Sequence, residues 1–307
     1  MLPEKLANKI HQRKTENALR TLGTSLPLTD FSSNDYLGFS KSEQLFNAAH
    51  AYLAANNIKH NGAAGSRLLS GNHSLYPKLE HMLSEFHNSE AALIFNSGYD
   101  ANIGLFSSLP QRGDVVLYDE HIHASIRDGI SMSHAKAYKF KHNNLTHLGE
   151  LLKRYQQSDT IYVVTESVFS MDGDSPDLVQ LSNLCKTYQA YLIIDEAHAI
   201  GILGNNGSGL VQATGLEQHV FARLVTYGKA LGCHGAAVLG SKALKQYLIN
   251  FSRSFIYTTA LPPHSLAAIQ AAYQELPSHI KRAQLHENIK HFKKDHFGCA
   301  SLMMTRN

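Results

Sequence analysis

Lys229 stands just beyond a short apolar run, RLVTY (223–227), with only Gly228 between them. An amine at the end of a buried strand is partly desolvated, which disfavours its charged form and makes it a nucleophile. On its own it would read as a surface lysine opening a loop. Small neighbours in TYGKALG (226–232), however, allow something bulky to come close. Asp195 closes an earlier apolar run, YLII. A carboxylate held there would keep an adjoining pyridine nitrogen protonated, although alone it would pass for a helix cap or turn residue. His123 has the shape to lie flat over a ring, and His198 to hydrogen-bond a ring oxygen. In a chain with 19 histidines either could instead be structural. SGYDAN (97–102) opens a helix straight after a strand, so its amides can hold a phosphate at the positive helix end, where the Thr226 hydroxyl could join them. Amine, ring-nitrogen partner, stacking imidazole and phosphate cradle together describe a site for pyridoxal 5'-phosphate (PLP).

Short apolar strands alternating with helices can bring these residues to one rim. AALIF (91–95), VVLY (115–118), IYVVTE (161–166), YLIID (191–195), RLVTY (223–227) and AAVLG (236–240) are almost continuously apolar, as strands buried on both faces should be. Helical stretches are expected near 123–133, 145–156 and 177–189. Before them, Leu75, Leu79, Met82, Leu83 and Phe86 fall at helical spacing, and an amphipathic helix is expected over 4–20, with Leu6, Ile10 and Leu19 on its apolar side. The alternation predicts an α/β fold with a mainly parallel sheet and helices on both faces. Ligands of such sheets bind at the carboxyl ends of the strands. Four of the runs end there in polar residues: Asn96-Ser97-Gly98-Tyr99, Asp119 to His123, Ser167 with Ser170, and Asp195 to His198.

Composition narrows the class. The 307 residues are 43% hydrophobic and 17% charged, with a formal net charge of +3, which is globular and excludes a disordered or fibrous chain. No basic run marks a nucleic-acid surface, and no apolar run is long enough to span a bilayer. Cys185, Cys233 and Cys299 fit neither a disulfide framework nor a paired-cysteine metal site, and the opening residues are charged where a secretory signal would be apolar. A cytoplasmic location is expected.

The motifs, taken in order, resemble those of the α-oxoamine synthases, a fold-type-I group of PLP enzymes. FSSNDYLG (31–38), GAAGSRLLSGNH (62–73), FNSGYDAN (95–102), DEHIHASIRDG (119–129), VFSMDGD (168–174), DEAHAIG (195–201), TYGKALG and FIYTTALPP (255–263) carry the likeness over residues 15–275. CHGAAVLGS (233–241) and IYTTALPP point to the branch acting on L-alanine and a pimeloyl thioester rather than to the aminoketobutyrate ligases. The resemblance implies that Lys229 holds PLP covalently, Asp195 pairs with the ring nitrogen, and His198 and Ser170 contact the cofactor. His123 would stack on the ring, Gly98 and Tyr99 would line the site, and Thr226 would reach the phosphate. Arg20 and Asn34 would face substrate, and Thr258 or Thr259 would reach the phosphate of a partner subunit in a homodimer with shared sites. It divides the chain into an N-terminal helix and substrate-facing segment (1–38), a large PLP-binding domain (39–260) and a remnant (261–307) of a small C-terminal domain that the family pattern continues beyond Asn307.

The implied reaction is the decarboxylative condensation of L-alanine with pimeloyl-CoA or a pimeloyl-carrier protein, a step of biotin synthesis. A chain lacking most of the small domain could keep the fold, and PLP, without turnover. Glycine C-acetyltransferase chemistry is the nearest sibling activity. Two further readings carry less. Asp195-Glu196-Ala197-His198 spells the DEAH box of helicases, but no GxxxxGK[ST] loop precedes it. His121, His123 and His134 could ligate a metal, though so many histidines make such clusters common by chance.

Overall fold

The computed structural model describes residues 1–23 and 29–297, so Cys299 lies outside the described residues. The chain divides into two units, Met1–Ser32 and a second beginning at Ser33. The first holds α1 (Glu4–Thr15), whose residues are all exposed. This helix stops short of the expected 4–20: Asn17 takes a left-handed φ of 51° and the Ala18 amide bonds back to the Arg13 carbonyl, a local stop that leaves Leu19 outside the helix.

The second unit is built on a seven-stranded sheet. Ahead of it come α2 (Glu43–Ala55) and α3 (Leu75–Phe86). There follow β1 (Ala91–Phe95), α4 (Gly98–Ser108), β2 (Val115–Asp119), α5 (Ala124–Ser131), β3 (Lys136–Phe140) and α6 (Leu145–Tyr155). Next are β4 (Ile161–Glu166), α7 (Leu178–Thr187), β5 (Tyr191–Asp195), a single turn α8 (Leu210–Ala213), β6 (Ala222–Thr226) and β7 (Ala236–Gly240). Helices α9 (Lys242–Phe251), α10 (Arg253–Ile256), α11 (Pro263–Glu275) and α12 (Ile280–Phe297) complete the order.

The strands lie in the order β1-β7-β6-β5-β4-β2-β3, and β7 alone runs antiparallel to its neighbours. Side chains alternate across the sheet with a period of two, so each strand serves two cores. Leu93, Val116, Val164, Ile193 and Leu224 face α4, α5 and α9. On the other face, Ile94, Val225 and Leu239 meet α2, α3 and α11, while Leu117, Val163 and Ile194 meet α6 and α7. Side-chain caps set the helix starts: Ser97 accepts from the Asp100 amide, His123 from Ser125, Asn144 from His147 and Asp177 from Gln180. The strand β3, absent from the sequence reading, is an edge strand with Lys136 and Lys139 exposed.

Candidate active site

At the carboxyl ends of β2, β4, β5 and β6 a cavity of about 170 Å³ opens beside the N-terminus of α4. Lys229, Asp195, His123, Gly98, Tyr99 and Thr226, six of the residues singled out from the sequence, line it together. Strand direction explains the convergence. Asp195 is the last residue of β5 and Thr226 the last of β6, Gly98 opens α4 behind β1, and His123 caps α5 behind β2. Lys229 sits in the return from β6 to β7, a loop closed by bonds between Tyr227 and both Gly235 and Cys233. Gly232 in that loop has φ 61°, and a Cβ there would meet the backbone of Phe39 and Ser40, so the lysine loop packs closely on the residues that follow Gly38.

Burial lowers the Lys229 pKa from its ordinary value, while Asp195 and Glu166 hold part of the charge in place. Its Nζ lies 2.6 Å from His198 Nε2, and His198 Nδ1 lies 2.8 Å from the Tyr36 hydroxyl. Burial, reinforced by the charges of Lys229 and His123, pushes His198 down to about 3, so its imidazole is neutral at physiological pH.

Asp195 is held by two donors at 2.9 Å, the Ala197 amide and Asn102 Nδ2. Among the described residues no ion pair reaches it. The same Asn102 Nδ2 donates to Ser125 Oγ at 3.0 Å, and Ser125 Oγ lies 2.7 Å from His123 Nδ1. Because His123 Nδ1 also accepts from the Ser125 amide, the proton of that neutral ring belongs on Nε2. The His123 amide donates to Glu166 Oε1 at 2.6 Å, and Glu166 stands opposite Asp195 across the β4–β5 pairing. Burial and the Asp195 charge push the Glu166 carboxyl up to about 8. Asn102, Ser125 and Glu166 thus belong to the cavity although the sequence reading did not select them. Asn102 was legible in principle, lying one helical turn after Gly98 and so on the same face of α4.

Other expected residues lie elsewhere. Ser170 is half-buried in the loop after β4 and is not among the lining residues, and His198 reaches the cavity only through Lys229. Thr258 borders a separate small crevice, where Asn96 Nδ2 donates to its hydroxyl at 3.1 Å and to the Thr259 carbonyl at 2.7 Å. Asn34 accepts from the Tyr36 hydroxyl at 3.1 Å, and Arg20 is exposed in the N-terminal unit. His121, His123 and His134 form no cluster: among the described residues the one group compact enough for a metal is His121, His142 and Asp172. Both ring nitrogens of His142 are already engaged at 2.9 Å, by Asp119 and Asp174. Nor does Glu196 turn toward a ligand as a helicase acid would. It is fully buried against Arg223, with Nη2 and Nε at 2.6 and 3.0 Å from Oε2.

This mostly parallel sheet, with its helix layers, has the architecture of the fold-type-I PLP enzymes. An 8-amino-7-oxononanoate synthase from Francisella tularensis superposes with a TM-score of 0.76 at 31% identity, covering 92% of this chain and 79% of that one. Serine palmitoyltransferase from S. paucimobilis, holding PLP joined to myriocin, gives 0.83 at 26% identity, covering 93% and 77%. An 8-amino-7-oxononanoate synthase of Emericella nidulans is 42% identical over 298 residues, taking in 90% of this chain and 70% of that protein. Residues 27–303 match the family aminotransferase class I and II, and the chain belongs to that family, within it to the α-oxoamine synthases.

Proposed function

We propose that this chain binds PLP at Lys229 and condenses L-alanine with a pimeloyl thioester, of CoA or of a carrier protein, releasing CO2 and giving 8-amino-7-oxononanoate. The observation that carries the reading is one cavity with a partly desolvated amine and an ion-pair-free carboxylate on its wall. The residues suit the cofactor. Asp195 offers its charge to a ring nitrogen, and the N-terminus of α4 leaves a cradle at Gly98, where a Cβ would sit 3.4 Å from Thr226 Oγ1 and narrow it.

Bound PLP would supply an electron sink for the pair left when an amino acid loses its α-proton. Each side chain then has its task. Asp195, fixed by Asn102 and Ala197, keeps the ring nitrogen charged. His123, locked by Ser125 and Glu166, presents its imidazole to the cavity. Lys229 Nζ, once free, takes and returns the α-proton, a base suited to the work because burial has brought its pKa down. Thr226 and the α4 amides anchor the phosphate. The shared-site dimer, with Thr258 or Thr259 reaching a partner's phosphate and Arg20 and Asn34 facing substrate, is part of the same proposal.

Visible absorption tests it. Purified chain with PLP should develop a band that is absent in Lys229→Ala and moves when L-alanine is added, and pimeloyl-CoA should then release free thiol. A folded protein with no Lys229-dependent band overturns the reading. A band without thiol release leaves a PLP-binding chain that does not perform this condensation.

A further inference from the structure

The Tyr36 hydroxyl has no place in the chemistry above, yet it belongs to a continuous chain of polar atoms that begins at Lys229. Lys229 Nζ is 2.6 Å from His198 Nε2, His198 Nδ1 is 2.8 Å from Tyr36 Oη, and Tyr36 Oη is 3.1 Å from Asn34 Oδ1. The proton positions follow from donor and acceptor inventories. An ammonium has no lone pair, so Lys229 can only donate, and His198 Nε2 must accept. A neutral imidazole carries one proton, which therefore sits on Nδ1 and needs an acceptor beyond it. Tyr36 Oη accepts it and passes its own hydrogen to Asn34 Oδ1.

We propose that Tyr36 is a positioning residue that takes the Nδ1 hydrogen of His198 and so supports the tautomer whose bare Nε2 accepts from Lys229. A phenol suits the role because it both donates and accepts. When Lys229 no longer carries an ammonium, Tyr36 turns its hydrogen onto Nδ1, and Nε2–H points back toward the amine position. His198 is neutral in both arrangements, because burial disfavours its cation in either. Tyr36 also stays protonated, its pKa pushed up to about 12 by burial. Only the direction of the chain changes. The inference rests on the reading of Lys229 as the reactive amine, but its test does not require PLP.

Selective ¹⁵N labelling of histidine in the full chain, freed of bound aldehyde, reports the tautomer directly, and His198→Gln assigns the signals by their loss. The wild type should show Nδ1 protonated and Nε2 bare. Tyr36→Phe removes one oxygen and leaves an Nδ1–H donor buried without an acceptor, so the Nε2–H tautomer, donating to an uncharged Lys229 amine, gains, and the two nitrogens should exchange their shifts at a lower pH than in the wild type. A wild type already protonated on Nε2, or a folded Tyr36→Phe chain with unchanged His198 signals, overturns the proposal. Neither result bears on the visible band of Lys229, so this inference and the PLP reading fail separately.

Discussion

Asp195 and Glu196 are neighbours in sequence and acidic alike, yet they should respond in opposite ways to losing their charge. Glu196 Oε2 takes two bonds from Arg223, and its Oε1 accepts the Leu210 and Val211 amides at 2.7 and 3.0 Å. A glutamine has one carbonyl oxygen for these two sets of donors, so Glu196→Gln sets its NH₂ against N–H groups on one side and leaves Arg223 without a counter-ion. Removing one partner of a buried ion pair costs about 3–5 kcal/mol, a large share of the roughly 5–15 kcal/mol that holds a protein folded. With a urea m-value of about 3 kcal/mol/M, the unfolding midpoint falls by roughly 1–1.7 M.

Asp195→Asn is different because Asn102 can absorb part of the change. The buried Oδ1 of Asn102 has no partner. Rotating that amide end for end lets Oδ1 accept from the new asparagine, while the Ala197 amide keeps its acceptor and the Ser125 hydroxyl keeps its bond to His123. The rotated NH₂ lies buried where the oxygen had no partner, which costs about 1–3 kcal/mol, a midpoint shift of roughly 0.3–1 M that stays below that of Glu196→Gln. PLP binding reverses the order: Asp195→Asn loses the absorption band or weakens it severely, and Glu196→Gln retains it under conditions where the chain is folded. Urea titration by circular dichroism, paired with visible spectra, separates the two. Equal midpoints for both variants would refute the division of labour assigned to this pair.

Two further outcomes follow from the same cavity. Glu166 titrates near 8 in the folded chain against an ordinary 4.5, so between these values the folded state keeps a proton that the unfolded state releases. Stability therefore falls as pH rises from about 4.5 towards 8, and this slope should be missing in Glu166→Gln when urea midpoints at pH 5.5 and 8 are compared. Gly98→Val fills the cradle beside Thr226 without touching either core, so the urea midpoint should hold. Losing one or two charge-assisted bonds to the phosphate, worth about 1.5–3 kcal/mol, should weaken PLP about 10- to 150-fold in a spectroscopic titration.

Where burial dominated, the sequence spoke plainly. β1, β4, β5 and β7 span the residues their apolar runs predicted, β2 ends one residue later and β6 is shifted by one residue. In contrast, β3 pairs along only one edge, and KAYKF keeps its lysines in solvent, so hydrophobic continuity was no guide there. The direction of β7 is not written in AAVLG itself, but it is written in the spacing. Only Tyr227 to Gly235 separate β6 from β7, fewer residues than the dozen or more that a parallel crossover needs, so the chain must turn straight back.

That return is also what makes Lys229 useful. A crossover helix after β6 would have carried the lysine off over one face of the sheet. The tight loop instead keeps it at the carboxyl rim, within reach of His198 and beside Asp195 in the same cavity. The polar residues that sequence reasoning overlooked share one property: each acts on a neighbour. Asn102 orients Asp195, Ser125 and Glu166 fix His123, and Tyr36 reaches Lys229 only through His198. Residue type and strand-end position pick out groups that face a ligand. Ser125 is only two residues from His123, but the other supports sit on other elements, separated by 93 residues in the case of Asn102 and Asp195, and by 162 in that of Tyr36 and His198. Only the folded chain brings these distant pairs into contact, so the reactive groups were legible in the sequence while most of the contacts that hold them were not.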